Sequence, residues 1–224
     1  MIKAILFDLD GTLLDRDTSL SLFIEAQYER LREILGHIPK EHYSARFIEL
    51  DNHGYVWKDK VYAQLVAEFH ISSTTPEALL EDYIANFQHH CVAFPHMHDM
   101  LDELKRHHIV LGMITNGYGQ FQMDNIKALG IEAYFDVILV SEWEGMKKPD
   151  PNIFKKALQL LQVMPSESLF IGDHPENDIA AAQAVGMKAI WKQNEQWTDV
   201  KADAVIADYE ELVRLLAQFD TYTY

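Results

Sequence analysis

Short apolar runs recur along the chain: Ala4-Ile5-Leu6-Phe7, Ile109-Val110-Leu111-Gly112-Met113-Ile114, Val137-Ile138-Leu139-Val140, Ser168-Leu169-Phe170-Ile171 and Ala189-Ile190-Trp191, with a sixth at Ala204-Val205-Ile206. They are apolar throughout rather than alternating, and most have Gly, Asp or Asn beside them. Such runs read as strands buried on both faces of a parallel sheet. Between them the period becomes helical. Met97, Met100, Leu101 and Leu104 fall at i, i+3, i+4 and i+7. Phe154, Leu158 and Leu161 follow Asp150-Pro151, which reads as an N-cap with Pro in the first turn. Gly130 and Gly186 stand where helices end, and Leu212, Leu215, Leu216 and Phe219 line a last helix. The alternation predicts an α/β fold, a doubly wound, Rossmann-like parallel sheet.

One interval breaks the rhythm. From Asp10 to His108 there is no buried run, only helical patterns: Leu20, Phe23, Ile24, Leu31, Leu35; then Val61, Leu65, Phe69; then Leu79, Tyr83, Ile84, Phe87 after Thr75-Pro76. A crossover between parallel strands needs far less chain. The pattern predicts an all-helical cap domain over 17–90, inserted after the first strand, with 1–16 and 91–224 forming the core. The linkers would run through 14–18 and 93–95.

Ligands of such sheets bind beyond the carboxyl ends of the strands, and the polar residues gather there. Asp8 and Asp10 follow the first run, in FDLDGT. Thr115-Asn116-Gly117 follows the second, Lys148 lies beyond the third in KKPDP, and Asp173 and Asp178 follow the fourth in GDHPEND. Asp8, Asp10 and Asp173 would repel one another unless neutralised. A hard divalent cation with oxygen ligands, such as Mg²⁺, does this. Lys148 adds positive charge, Thr115 a hydroxyl, and the Asn116 and Gly117 amides can donate to an anion. Donors, a lysine and a metal around one spot describe a phosphate site. A carboxylate there can attack phosphorus while a second carboxyl serves as acid and then base.

Composition narrows the partners. The net charge is −16, and the densest basic stretch, Lys105-Arg106-His107-His108, reads as the polar end of a helix. Neither duplex DNA nor an anionic membrane suits such a surface. No apolar run approaches the length of a membrane span. The start, which meets Asp8 at once, does not read as a signal peptide. The single cysteine, Cys91, forms no intrachain disulfide and suits a cytoplasmic protein. Nothing in the chain speaks to oligomeric state.

DxDGT, TN, KPDP and GDxxxxD, in this order and on these elements, resemble the haloacid dehalogenase-like (HAD) hydrolase superfamily. The resemblance covers 1–15 and 95–210, and the helical insertion resembles that superfamily's type 1 cap. It implies that Asp8 attacks the phosphoryl group and forms an aspartyl-phosphate. Asp10 would protonate the leaving oxygen and then activate water, its backbone carbonyl joining Asp8 in the metal shell. Thr115, with Asn116 and Gly117, would hold phosphoryl oxygens, and Lys148 would balance charge on Asp8 and phosphate. Asp173 would ligate Mg²⁺, and Asp178 would bind a metal-bound water or orient Lys148. His174 departs from the pattern, since many relatives carry a small residue there.

The function implied is a Mg²⁺-dependent phosphatase acting on a small soluble phosphomonoester. The alternatives are a phosphomutase on a sugar phosphate, a 2-haloacid dehalogenase, and a ligand-binding or regulatory module on the same fold. Asp10 weighs against the dehalogenase, because a halide leaving group needs no proton.

Blander roles suit other conspicuous residues. The 11 histidines are not spaced as metal ligands, and adjacent pairs such as His89-His90 put their rings on different faces of a helix. Cys91 reads as filler. Of Lys147 and Lys148, the one abutting Pro149 fits the motif and the other reads as solvated. Substrate choice should lie in the insertion, where Arg16, Arg46, Tyr55, Trp57 and Lys58 are the candidate contacts. Trp57 has an equal reading as part of the insertion's core.

Overall fold

The computed structural model describes residues 1–212 and 214–215. The chain divides into two compact units, one made of Met1–Asp15 with the chain from Ala93 onward, the other of Arg16–Val92.

The first unit begins with β1 (Ala4–Phe7), and the chain leaves it at Asp15. The second unit is helical: α1 (Arg16–Arg30), α2 (Arg32–Leu35), α3 (Lys40–Asp51), α4 (Lys58–Glu68) and α5 (Pro76–Asn86). Leu20, Phe23 and Ile24 of α1 are buried at helical spacing, but the helix stops before Leu31. At α5 the Thr75 hydroxyl accepts from the Ala78 amide at 3.3 Å and Pro76 takes the first turn, the expected start. Sequence periodicity errs twice here. Ile84 is exposed rather than core, and α3 is passed over by the apolar pattern, since its buried face has only Tyr43 and Phe47 before the acid Asp51 breaks the stripe. The core of this unit is aromatic. Phe23 meets Tyr83 edge-on at 5.1 Å and Phe47 meets Tyr62 at 5.3 Å, while the buried Tyr62 hydroxyl donates to Gln27 Oε1 at 2.9 Å.

The chain re-enters the first unit beside the point where it left. Leu14 and Ala93 form an antiparallel bridge, and the Phe94 amide donates to the Leu13 carbonyl at 3.1 Å. Then follow α6 (Met97–Arg106), β2 (Val110–Thr115), α7 (Gly119–Ala128), β3 (Val137–Val140), α8 (Ser141–Glu144), α9 (Pro151–Leu161), β4 (Ser168–Gly172), a π-helical turn (Pro175–Ala180), α10 (Ala181–Ala184), β5 (Lys188–Lys192) and β6 (Ala204–Ile206). All six apolar runs are strands of one parallel sheet ordered β3-β2-β1-β4-β5-β6. Ala4 pairs with Val110 on one side and Ser168 on the other, so β1 is central. On one face Leu6, Ile114 and Phe170 pack on α9 through Phe154, whose ring meets Phe170 at 5.1 Å. Asp150 caps α9 by accepting from the Asn152 amide. Residues 209–212 are helical and Leu212 is buried, whereas Leu216, Phe219 and the terminal TYTY lie outside the described residues. No helix among the described residues is long and apolar enough to cross a membrane.

This topology selects the site. The chain runs outward from β1 through β2 to β3 on one side, and through β4 to β6 on the other. The carboxyl end of β1 therefore lies at the switch point of the sheet, with the ends of β2 and β4 beside it.

Candidate active site

Asp8 is the first residue past β1, and its amide still donates to the Ile171 carbonyl at 2.9 Å. Lys148, from the loop before α9, is buried and donates from Nζ to Asp8 Oδ1 at 2.6 Å and to Asp178 Oδ1 at 2.7 Å. Asp178 is buried in the π-helical turn, where its other oxygen accepts from the His174 amide at 3.0 Å. Lys147 is exposed. Asp173 follows β4, its main-chain carbonyl held by Trp191 Nε1 at 2.8 Å and its Oδ2 by Asn194 Nδ2 at 3.1 Å. Carboxylate oxygens of Asp8, Asp173 and Asp178 lie within 4.8 Å of one another. Two glycines make this crowding possible. Gly11, at φ +78°, has no Cβ where one would overlap the Asp173 carboxylate, and a Cβ on Gly172 would run into Asp178.

The electrostatics follow from burial and crowding. Burial, with Asp178 and Asp10 adding to it, raises the Asp8 carboxyl to about 7 despite Lys148. Burial, Asp178 and Asp8 carry Asp173 well above the carboxylate range. Burial works against the charge on Lys148, but Asp178 and Asp8 hold its ammonium above its ordinary value. One lysine is thus set against three carboxyls, and Asp8 and Asp173 hold their protons more tightly than free carboxyls do. Another positive charge would offset the carboxyls in their ionised form. Oxygen donors only, closely spaced, suit a hard divalent cation, so Asp8, Asp173 and Asp178 are a donor set that could hold one.

The β2 end supplies the other wall. Thr115 is fully buried. Asn116 ties down the lysine loop: its Nδ2 donates to the Lys148 carbonyl and its Oδ1 accepts from the Lys148 amide, both at 2.9 Å. The Gly117 amide donates to Ser141 Oγ at 2.9 Å. Asp10 is reached by Gln122 of α7, whose Nε2 donates to Asp10 Oδ2 at 2.6 Å and Thr115 Oγ1 at 2.7 Å. Asp8, Lys148, Asp173 and Asp178 therefore form one cluster, and Asp10 and Thr115 are joined through Gln122. Ser141 and Gln122 are residues that the motif reading passes over. Gln122 carries a signal all the same: with Ile126 and Leu129 it falls at i, i+4 and i+7, so the apolar face of α7 includes it.

A family model for haloacid dehalogenase-like hydrolases matches residues 5–192. The chain belongs to that family. The glyceraldehyde 3-phosphate phosphatase of Pyrococcus furiosus is 28% identical, over 96% of this chain and 93% of its own. Among solved structures, a 2-haloacid dehalogenase from Pseudomonas syringae pv. Tomato DC3000 is 30% identical with a TM-score of 0.64, covering 98% of this chain and 100% of that one. A putative β-phosphoglucomutase from Thermotoga maritima superposes with a TM-score of 0.77, covering 97% and 99%; at 22% identity it shows the shared fold alone. This HAD-family chain is thus a hydrolase by descent, and its relatives include phosphoric monoester hydrolases as well as dehalogenases.

Within the helical unit, four of the insertion's candidate contacts have partners of their own. Arg16 donates from Nη2 to both oxygens of the buried Asp51, at 2.9 and 2.8 Å, and Lys58 pairs with the same carboxylate. Arg46 pairs with Glu68 and Glu49 on the surface, Trp57 meets Tyr83 edge-on at 6.2 Å, and Tyr55 is exposed. His174 accepts from the Glu176 and Asn177 amides, a cap for the turn that carries Asp178. Cys91 is half-buried.

Proposed function

We propose that this protein is a Mg²⁺-dependent cytoplasmic phosphatase that hydrolyses a small soluble phosphomonoester through an aspartyl-phosphate on Asp8. One observation carries the reading: a buried carboxylate, Asp8, is held by a buried ammonium at 2.6 Å beside two further carboxyls. Asp8, Asp173 and Asp178, with the Asp10 carbonyl, are the residues that would hold Mg²⁺, which when bound supplies the positive charge that keeps these carboxylates ionised. Lys148 holds Asp8 in place for attack on phosphorus and balances the incoming phosphate. Thr115 and the Asn116 amide receive phosphoryl oxygens, and the Gly117 amide joins them by giving up Ser141. Asp10 gives a proton to the departing ester oxygen and later takes one from water.

Asp10 favours this reading over the dehalogenase, because proton delivery to the leaving group is needed for an ester and wasted on a halide. A phosphomutase would use the same carboxyl pair, so the choice between hydrolase and mutase rests with residues 16–92, the proposed cap, as does the choice of ester. Glyceraldehyde 3-phosphate, named for the Pyrococcus relative, is the first ester to try. The test is phosphate release from a panel of sugar phosphates, nucleotides and phosphoglycolate, with Mg²⁺ and with chelator, for wild type and Asp8→Asn. Metal-dependent release that Asp8→Asn abolishes is the expected result. Release that survives Asp8→Asn would sink the nucleophile, and no release from any ester would leave the mutase or a binding role.

A further inference from the structure

Gln122 is buried, and its amide is committed at both ends. Nε2 lies 2.6 Å from Asp10 Oδ2, 2.7 Å from Thr115 Oγ1 and 3.4 Å from the Asn116 carbonyl, while Oε1 accepts from Asn125 Nδ2 at 3.4 Å. All three neighbours of the nitrogen are oxygens and the neighbour of the oxygen is an amide nitrogen. The opposite amide orientation would set oxygen against carboxylate and NH₂ against NH₂. The two hydrogens of Nε2 are used by the two short contacts, Asp10 and Thr115. A second feature points to the same side chain. A Cβ on Gly117 would lie 2.9 Å from Gln122 Cγ and 3.0 Å from Cδ, so the glycine of Thr115-Asn116-Gly117 leaves the room that the glutamine stem fills.

We infer that Gln122 is a positioning residue that sets the acid and the phosphate clamp together. The inference rests on the phosphatase reading above. A hydroxyl has one hydrogen to give and two lone pairs to accept with. Thr115 accepts from Gln122, so its own hydrogen stays available for a phosphoryl oxygen. Asp10 accepts at Oδ2, so Oδ1 is the oxygen that exchanges the proton. In the first step a bond forms between an Asp8 oxygen and phosphorus, the phosphorus–ester oxygen bond breaks, and the ester oxygen takes the proton from Asp10 Oδ1 to leave as an alcohol. In the second, water attacks phosphorus, its proton passes to Asp10, and the bond to Asp8 breaks to release inorganic phosphate. A wandering Asp10 carboxyl would lose most where the leaving group most needs a proton.

That requirement gives a readout which a merely structural residue would not move. kcat/KM covers the steps up to departure of the alcohol. It is measured for Gln122→Met, which keeps the stem without the donors, and for Gln122→Glu, which keeps the shape but offers an acceptor. The two substrates are the best alkyl phosphate of the panel and 4-nitrophenyl phosphate, whose leaving group departs with little help. Fold is checked by circular dichroism and thermal midpoint, and either folded variant suffices. The expected result is a loss on the alkyl ester about 100-fold larger than on the aryl ester, the lower end of what general acid catalysis supplies. Gly117→Ala, which displaces the same stem, should show the same bias. Equal losses on both esters, or no loss, in a wild type that is active overturn the inference alone. A wild type that hydrolyses neither ester overturns the phosphatase reading, and the inference with it.

Discussion

A divalent cation should stabilise this protein far more at pH 8 than at pH 5.5, and two side chains, Asp8 and Asp173, set the difference. The Asp8 carboxyl has a value of 3.8 in the unfolded chain and about 7 in the fold. Between those values the folded chain holds a proton that the unfolded chain has released. The stability Asp8 contributes is therefore complete below pH 3.8 and is lost as pH rises through about 7. The span from 3.8 to about 7 is worth on the order of 4 kcal/mol, and Asp173 acts in the same direction. A bound cation needs these carboxylates ionised, so below pH 7 it must first displace protons. Above about pH 7 the Asp8 proton no longer opposes it. At 100 times its dissociation constant, a ligand of the native state adds about 2.7 kcal/mol. In a chain of this length that raises Tm by roughly 5–10 °C.

The assay is thermal unfolding with MgCl₂ and with EDTA at matched ionic strength, at intervals from pH 5.5 to 8.5. Taking the difference at each pH removes the contribution of every acid that does not touch the cation. The cation-induced shift should be small at pH 5.5, climb through about pH 7 and level off. It should vanish in Asp173→Asn. A shift of equal size at every pH, or one that survives Asp173→Asn, would refute the reasoning, because the cation would then be bound by other acids of this acidic chain.

Asp10→Asn should cut hydrolysis of alkyl phosphates by on the order of 100-fold or more while keeping the cation-induced rise in Tm; a mild effect would move the acid–base role to another group. Lys148→Met leaves Asp8 and Asp178 buried without their cation and should cost about 3–5 kcal/mol in urea unfolding without Mg²⁺. Asp51→Ala strands Lys58 and Arg16 in the helical unit and should cost a similar amount. Burial opposes the Asp51 charge, but Arg16 and Lys58 overcome it and hold its carboxyl below 3.8, so the Asp51 contribution is present above pH 3.8 and fades on further acidification.

What could be seen in the sequence, and what could not, divides along a physical line. In a parallel sheet the residue after each apolar run lands on one edge, so position in the chain translates directly into position in space. Asp8, Thr115 and Asp173 were legible for that reason, and Lys148 because KPDP fixes its place before α9. Gln122 was not. Its partner Asp10 is 112 positions away, and only the phase of α7 brings the amide to the same edge. The strip Gln122, Ile126, Leu129 marks the residue as inward-facing, but inwardness names no partner. Helix α3 failed for a kindred reason. One of its three buried positions is Asp51, an acid kept inside only because Arg16, 35 positions earlier, and Lys58, 7 later, neutralise it. Apolar burial is written locally, because each residue needs only to avoid water. Polar burial is written in pairs, and a pair can be read only when the fold has first brought its members together. Gln122 sits where these rules meet. The face of α7 that buries it is set locally, whereas its use depends on the strand order that brings the β1 and β2 ends side by side.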